Sequence, residues 1–218
     1  MKEKSDIRKL NLKELREVFR NNSQPSYRSD QVYDWIWKKS ASSFQEMSNL
    51  PKEVRSFLEN HFTLNKLSLF AKQESRDGTL KFGFLFPDQS KAEGVLIPEE
   101  DRFTACISSQ SGCSLTCTFC ATGYMKLKKN LEDYEIYDQV HFINQESEKR
   151  YNKRITNIVF MGMGEPLLNY KNVVKAITKI SSSEGLNFSN RRITLSTVGI
   201  TKQIMELADD DIKCKLAV

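Results

Sequence analysis

Ile155-Thr156-Asn157-Ile158-Val159-Phe160-Met161-Gly162-Met163-Gly164-Glu165-Pro166 is the stretch that decides the fold. The strand it predicts spans 155–161, and the apolar run from Ile158 to Met163 is strand-length, far too short to cross a bilayer. It ends in glycines and a proline, and residues 170–182 follow at helical period, so the stretch predicts a strand, a turn and a helix. The same unit recurs on both sides. Upstream, a strand near 104–109 leads through a cysteine loop into a helix near 132–147; downstream come a strand at 191–197, a helix at 200–208 and a strand at 212–218. Repeated strand-helix units predict an α/β fold with a parallel sheet and helices outside it, open or curled into a barrel. The last strand has nothing after it, and soluble proteins cover such an edge. The sequence is therefore expected to be an N-terminal fragment, its (βα) barrel truncated after about the fourth strand.

Further upstream the period changes. Leu64-Asn65-Lys66-Leu67-Ser68-Leu69 and Leu80-Lys81-Phe82-Gly83-Phe84-Leu85-Phe86 alternate with period two, and Asp77-Gly78 and Pro87-Asp88 supply turns. They predict a short antiparallel connector over 62–100, leading through Ala92-Glu93-Gly94-Val95-Leu96-Ile97-Pro98 into the core at 101–218. Residues 1–61 read as a small helical domain. Asn11 is a candidate N-cap for a first helix, Ser26 to Lys39 holds a second, and Pro51 sits at the first turn of a third. Trp35 and Trp37 are expected to anchor the core of that domain.

The 218 residues are 39% hydrophobic and 10% aromatic, enough for one large domain or one and a half. Met1 to Leu10 is charged and lacks a secretory apolar segment, which places the chain in the cytosol. A net charge of +5 is modest, but the basic residues bunch at Lys126, Lys128 and Lys129, at Lys149, Arg150, Lys153 and Arg154, and at Arg191 and Arg192. The first bunch lies just past the cysteines, where a phosphate backbone would have to pass. The second reads as a solvated helix end.

Of the five cysteines, Cys106, Cys113, Cys117 and Cys120 crowd into one short stretch, which suits a metal site in a reducing compartment better than a disulfide framework. Cys113-Ser114-Leu115-Thr116-Cys117-Thr118-Phe119-Cys120 is spaced C-x3-C-x2-C. A structural zinc needs four ligands, and neither His61 nor His141 has a spacing that supplies the fourth. Three thiolates on a four-iron cube instead leave one iron open to an outside ligand. The motif resembles that of radical S-adenosylmethionine (SAM) enzymes, with Phe119 matching their usual aromatic. The resemblance implies a [4Fe-4S] cluster on Cys113, Cys117 and Cys120 whose open iron is chelated by SAM, and a 5′-deoxyadenosyl radical made by cleaving it. Met161-Gly162-Met163-Gly164-Glu165-Pro166 lies where a βα loop lines such a site; the resemblance assigns Gly164 and Glu165 to SAM binding. Ser196, at the end of the third strand, is positioned to touch the SAM ribose or carboxylate.

Longer matches narrow the resemblance. Ile97-Pro98-Glu99-Glu100-Asp101-Arg102, Cys106-Ile107-Ser108-Ser109-Gln110-Ser111-Gly112-Cys113, Gly162-Met163-Gly164-Glu165-Pro166-Leu167-Leu168-Asn169 and Arg191-Arg192-Ile193-Thr194-Leu195-Ser196-Thr197 together resemble the Cfr/RlmN class of RNA adenine methyltransferases. Gln24-Pro25-Ser26-Tyr27-Arg28 with Trp35-Ile36-Trp37 looks like the helical accessory domain of that class. The resemblance implies methylation of C2 of an adenine in 23S rRNA, with tRNA as a second substrate, by way of a methyl-carrying cysteine. It implies catalytic roles for Cys106, which resolves the protein-RNA adduct, and for Glu93, the acid-base carboxylate. A disulfide bond, an electron donor such as flavodoxin or ferredoxin, and a monomeric state come with it. The methyl-carrying cysteine of the family lies far downstream, and Cys214 is no substitute, so this chain alone is not expected to complete turnover. C8 methylation, a radical SAM enzyme with a small-molecule substrate, and a zinc-stabilised RNA-binding module stay open as alternatives.

Overall fold

The computed structural model describes residues 4–210 and 212–218. It separates into two compact units, a helical one reaching to Lys66 and including Ser183–Leu186, and an α/β one made of Leu67–Ser182 and Asn187–Val218.

The helical unit holds α1 (Leu12–Asn21), α2 (Tyr27–Trp37) and α3 (Lys52–His61). Asn11 caps α1 reciprocally with Glu14: its side chain accepts from the Glu14 N–H at 3.0 Å, and the Glu14 carboxylate accepts from the Asn11 N–H at 2.7 Å. Leu15, Phe19, Val32, Ile36, Trp37, Val54 and Leu58 close its core. Trp37 is the anchor expected, but Trp35 is not. Its ring is half-buried, its Nε1 donates to Asn49 Oδ1 at 2.5 Å, and the Lys39 ammonium lies 3.8 Å from the ring centre. The alternation over 64–69 also does not give one strand there. Phe62–Thr63 pairs in parallel with Ser5–Asp6, and the next strand starts only at Ser68. Between them, the Asn65 N–H donates to Asp6 and its carbonyl accepts from Arg8, so side chains take bonds that a ladder would have used.

The α/β unit is built on one seven-stranded mixed sheet. In chain order its strands are β1 (Ser68–Glu74), β2 (Leu80–Leu85), β3 (Lys91–Glu99), β4 (Arg102–Cys106), β5 (Asn157–Phe160), β6 (Ile193–Ser196) and β7 (Lys215–Ala217), and they lie side by side in that order. Neighbours from β1 to β4 run antiparallel and those from β4 to β7 parallel. The antiparallel strands thus continue the parallel sheet through β4. Helices α4 (Asp133–Tyr151), α5 (Tyr170–Ser181) and α6 (Thr201–Asp209) fill the crossovers. α4 extends past the expected end at 147 and stops where Asn152 turns left-handed at φ +52°.

Side chains along a strand alternate between faces, and the register assigns each face. Phe82 and Phe84 of β2 meet the Phe142 ring of α4 edge-on, with centroids 5.3 and 5.6 Å apart. Leu96, Ala105, Ile158, Phe160, Ile193 and Leu195 are buried on that same side. On the other face stand Glu93, Val95, Cys106, Val159 and Ser196. Val95 pairs with Cys106, Cys106 with Val159, and Val159 with Thr194, two residues before Ser196. Among the described residues no helix is long and apolar enough to cross a membrane.

Phe82 is fully buried between sheet and helix. Phe82→Ala is expected to lower the stability of the α/β unit by about 3–5 kcal/mol in a urea titration, whereas a comparable change at exposed Phe70 should cost far less.

Candidate functional site

Three loops leave the carboxyl ends of neighbouring parallel strands: 107–132 after β4, 161–169 after β5 and 197–200 after β6. They enclose a cavity of about 380 Å³. Cys113, Cys117, Cys120, Gly164, Glu165 and Ser196 all line it. Glu93 and Cys106 do not, although they share the sheet face that Ser196 ends.

The cysteine loop is closed at its base. Gln110–Ser111 pairs antiparallel with Lys129–Asn130, and Cys113 bridges to Lys126. Gly112 makes this closure possible: its φ is +79°, and a Cβ there would stand 2.1 Å from the Lys126 carbonyl oxygen. Lys129 pins the outgoing strand through ion pairs to Asp88 at 2.6 Å and Glu135 at 2.8 Å. Burial opposes its charge, but the two carboxylates outweigh burial and raise its pKa. Lys129 is therefore engaged inside the fold, while Lys126 and Lys128 remain exposed. The three loop thiols are partly exposed, and the Leu115 N–H points at Cys113 Sγ from 3.4 Å. All five cysteines are free, and the disulfide implied by the resemblance is not seen among them.

Glu165 is 4% exposed and held at both oxygens, Oε1 accepting from the Leu167 N–H and Oε2 from the Val198 N–H, each at 3.0 Å. A carboxylate offers about four acceptor positions, so two directions are left for a ligand ammonium. Its own N–H donates to Gln110 Oε1 at 2.9 Å. Gly164 has φ +91°, and a Cβ would meet the Gln110 side chain at 2.4 Å, which leaves glycine as the one residue that fits.

Cys106 sits on the face away from the helices. Burial pushes its thiol up from the ordinary value, partly offset by the Met161 N–H donating to the sulfur. Two residues along the same face of β3 from the partner of Cys106 stands Glu93, whose Oε1 is 2.9 Å from Lys81 Nζ; both side chains are about half exposed. Cys214, just ahead of β7, is partly buried, and burial raises its thiol as well.

Comparison with known proteins bears directly on these loops. Residues 107–213 match the model of the radical SAM superfamily, and residues 5–64 match the ribosomal RNA large subunit methyltransferase N-terminal domain. Probable dual-specificity RNA methyltransferases RlmN from Cytophaga hutchinsonii and Flavobacterium johnsoniae are 56% and 52% identical over 99% of the chain. Along nearly its whole length the chain is similar to RlmN proteins of the radical SAM superfamily. It spans 59% and 62% of the length of those two curated relatives. A crystal structure of a radical SAM methyltransferase from Sphaerobacter thermophilus superposes with a TM-score of 0.87 at 36% identity, covering 97% of this chain and 62% of that one.

The family uses a [4Fe-4S] cluster and SAM, and the cavity can be tested against both. Among the described residues no three His, Cys, Asp or Glu side chains converge as ligands of a single ion. A lone zinc needs its sulfurs about 2.3 Å from one centre. A cube takes each thiolate on a different iron and leaves one iron open, so three thiols lining one cavity suit it. The arrangement fits the family's group.

Sequence reasoning missed the polar residues behind the cavity. Ser108, Ser109, Gln110 and Ser111 are all buried, as are Gln139 and Asn169. Gln139 accepts from the Ser108 N–H and donates to its carbonyl, both at 3.0 Å, and Asn169 Nδ2 donates to the carbonyls of Ser109 at 2.8 Å and Leu131 at 2.7 Å. The signal available was the Ser-Ser-Gln run itself, polar where a strand end would be apolar.

Because burial pushes the Cys106 thiol above its ordinary range, its alkylation by iodoacetamide should be slow at neutral pH and need a more alkaline pH than an ordinary thiol does. Peptide mapping by mass spectrometry reads this site by site; rapid labelling of Cys106 at pH 7 would contradict the buried setting.

Proposed function

We propose that this chain is the part of an RNA adenine methyltransferase that holds the cluster and SAM, acting on C2 of an adenine in 23S rRNA and in tRNA. The observation that carries the reading is the one cavity where Cys113, Cys117, Cys120, Gly164, Glu165 and Ser196 meet at the carboxyl ends of three parallel strands. Relatives named as dual-specificity RNA methyltransferases support the substrate.

In this reading Cys113, Cys117 and Cys120 hold the cluster. When bound, the cluster supplies the electron that cleaves SAM. Glu165, fixed by two backbone N–H groups, receives the SAM ammonium on its remaining lone pairs. Gly164 lets the chain pass close to the ligand, and Ser196 offers a hydroxyl from β6. Cys106 and Glu93 act on the open face of the sheet. At neutral pH the thiol of Cys106 carries its proton, so its role in resolving a protein-RNA adduct requires a base, and Glu93, on the same face, is the carboxylate we assign to proton transfer. Residues 1–61 form the RNA-recognition domain, 62–100 carry the sheet into the core at 101–218, and the strands from β4 onward begin a (βα) barrel. Exposed Lys126 and Lys128 bind phosphates. The target base is unpaired or turned out of its helix to reach the cavity. The protein works in the cytosol, with reducing equivalents from a flavodoxin or ferredoxin.

Anaerobic reconstitution tests the site. The chain is expected to turn brown and take up iron and sulfide in equal amounts, and Cys117→Ala to take up far less of both. Zinc bound without sulfide, or an unaffected variant, would defeat the reading.

Binding to an rRNA hairpin, measured by filter retention against salt, is expected to weaken steeply as salt rises. Replacing both Lys126 and Lys128 by Gln should make the slope of log K against log salt shallower by about one for each phosphate no longer neutralised. Salt-independent binding would speak for a different substrate class.

A further inference from the structure

We propose that Gln110 is a positioning residue for SAM binding: by accepting the peptide N–H of Glu165 it fixes the Glu165 carboxylate in the cavity wall and ties the SAM loop to the base of the cysteine loop. The proposal rests on the reading that this cavity holds the cluster and SAM. Gln110 is 1% exposed and uses both ends of its amide. Its Oε1 accepts from Glu165 at 2.9 Å and its Nε2 donates to Asn130 Oδ1 at 2.6 Å. Asn130 in turn donates to the Leu168 carbonyl at 3.4 Å. One buried amide thereby touches the segment entering the cysteine loop, the segment leaving it, and the loop after β5.

The fit around this amide is tight. The Gln110 side chain fills the place where any Cβ on Gly164 would lie, and the N–H groups of Ser109 and Gln110 both reach the Met163 carbonyl, at 3.0 and 3.2 Å. The loop from Met163 to Glu165 therefore rests on residues 109 and 110. Gln110 lies three residues before Cys113. It does not line the cavity, so its influence on a ligand passes through Glu165. Supporting residues of this kind change ligand affinity by about tenfold or more when removed.

Gln110→Met keeps length and bulk while removing both hydrogen bonds. In the reconstituted chain it is expected to hold as much iron and sulfide as the wild type and to bind SAM about tenfold more weakly by equilibrium dialysis. The electron paramagnetic resonance signal of its reduced cluster should change with SAM only at correspondingly higher SAM. A purely structural glutamine would move iron content and SAM affinity together, or neither. Gln110→Glu, measured at pH 6 where a buried acid stays protonated and can accept and donate as the amide does, is expected to recover most of the affinity. SAM affinity in Gln110→Met equal to wild type overturns the proposal, as does a weakening that follows a fall in iron, or a Gln110→Glu no better than Gln110→Met. A wild-type chain that takes up no cluster overturns the underlying reading, and the proposal with it.

Discussion

Beyond Cys106 the chain leaves β4 but stays inside the protein through Ser111, where water cannot satisfy its peptide groups. Each buried N–H or C=O left without a partner costs about 1–3 kcal/mol. The fold meets this demand with side-chain amides as well as with backbone partners on Val159, Met163 and the Lys129–Asn130 segment. Gln139 takes both peptide groups of Ser108, Asn169 takes the Ser109 carbonyl, and the Ser108 hydroxyl donates to the Glu93 carbonyl while accepting the Met163 N–H. The same bonds that satisfy this segment bring β3, α4 and the loop after β5 to it. The cavity exists because that convergence happens just ahead of Cys113.

A second constraint is the asymmetry of the sheet. With α4 against the Phe82 and Phe84 face, the fully buried apolar side chains of these strands gather on one side. The opposite face carries Glu93, Cys106, Thr194 and Ser196, polar groups that a two-layer core would exclude. Reactive side chains and helix-packing side chains thus alternate along the same strands, and the period of two that makes a strand also separates chemistry from core.

This division explains what could be read from the sequence. The strand and helix units from β4 onward were legible because period and glycine placement are local properties, and the cysteine spacing marked the loop. Two things were not. Trp35 and Trp37 are chemically alike and point to different sides of one helix, and only the packing of α2 decides that Trp37 enters the core while Trp35 faces Asn49 and Lys39. The amide network could not be read either, since Gln110, Gln139 and Asn169 are far apart in sequence and polar residues carry no period that announces burial. Leu64 to Leu67 failed for a related reason: Asp6 and Arg8, distant in sequence, claim the Asn65 peptide groups.

The bonds that shut the base of the cysteine loop join Gln110–Ser111 to Lys129–Asn130 and Lys129 to Asp88 and Glu135, and none of them uses a sulfur. Protein atoms alone thus join the two ends of the cysteine loop. A change at Asp88 or Glu135 would therefore loosen the loop's outgoing strand while leaving all three of its thiols in place.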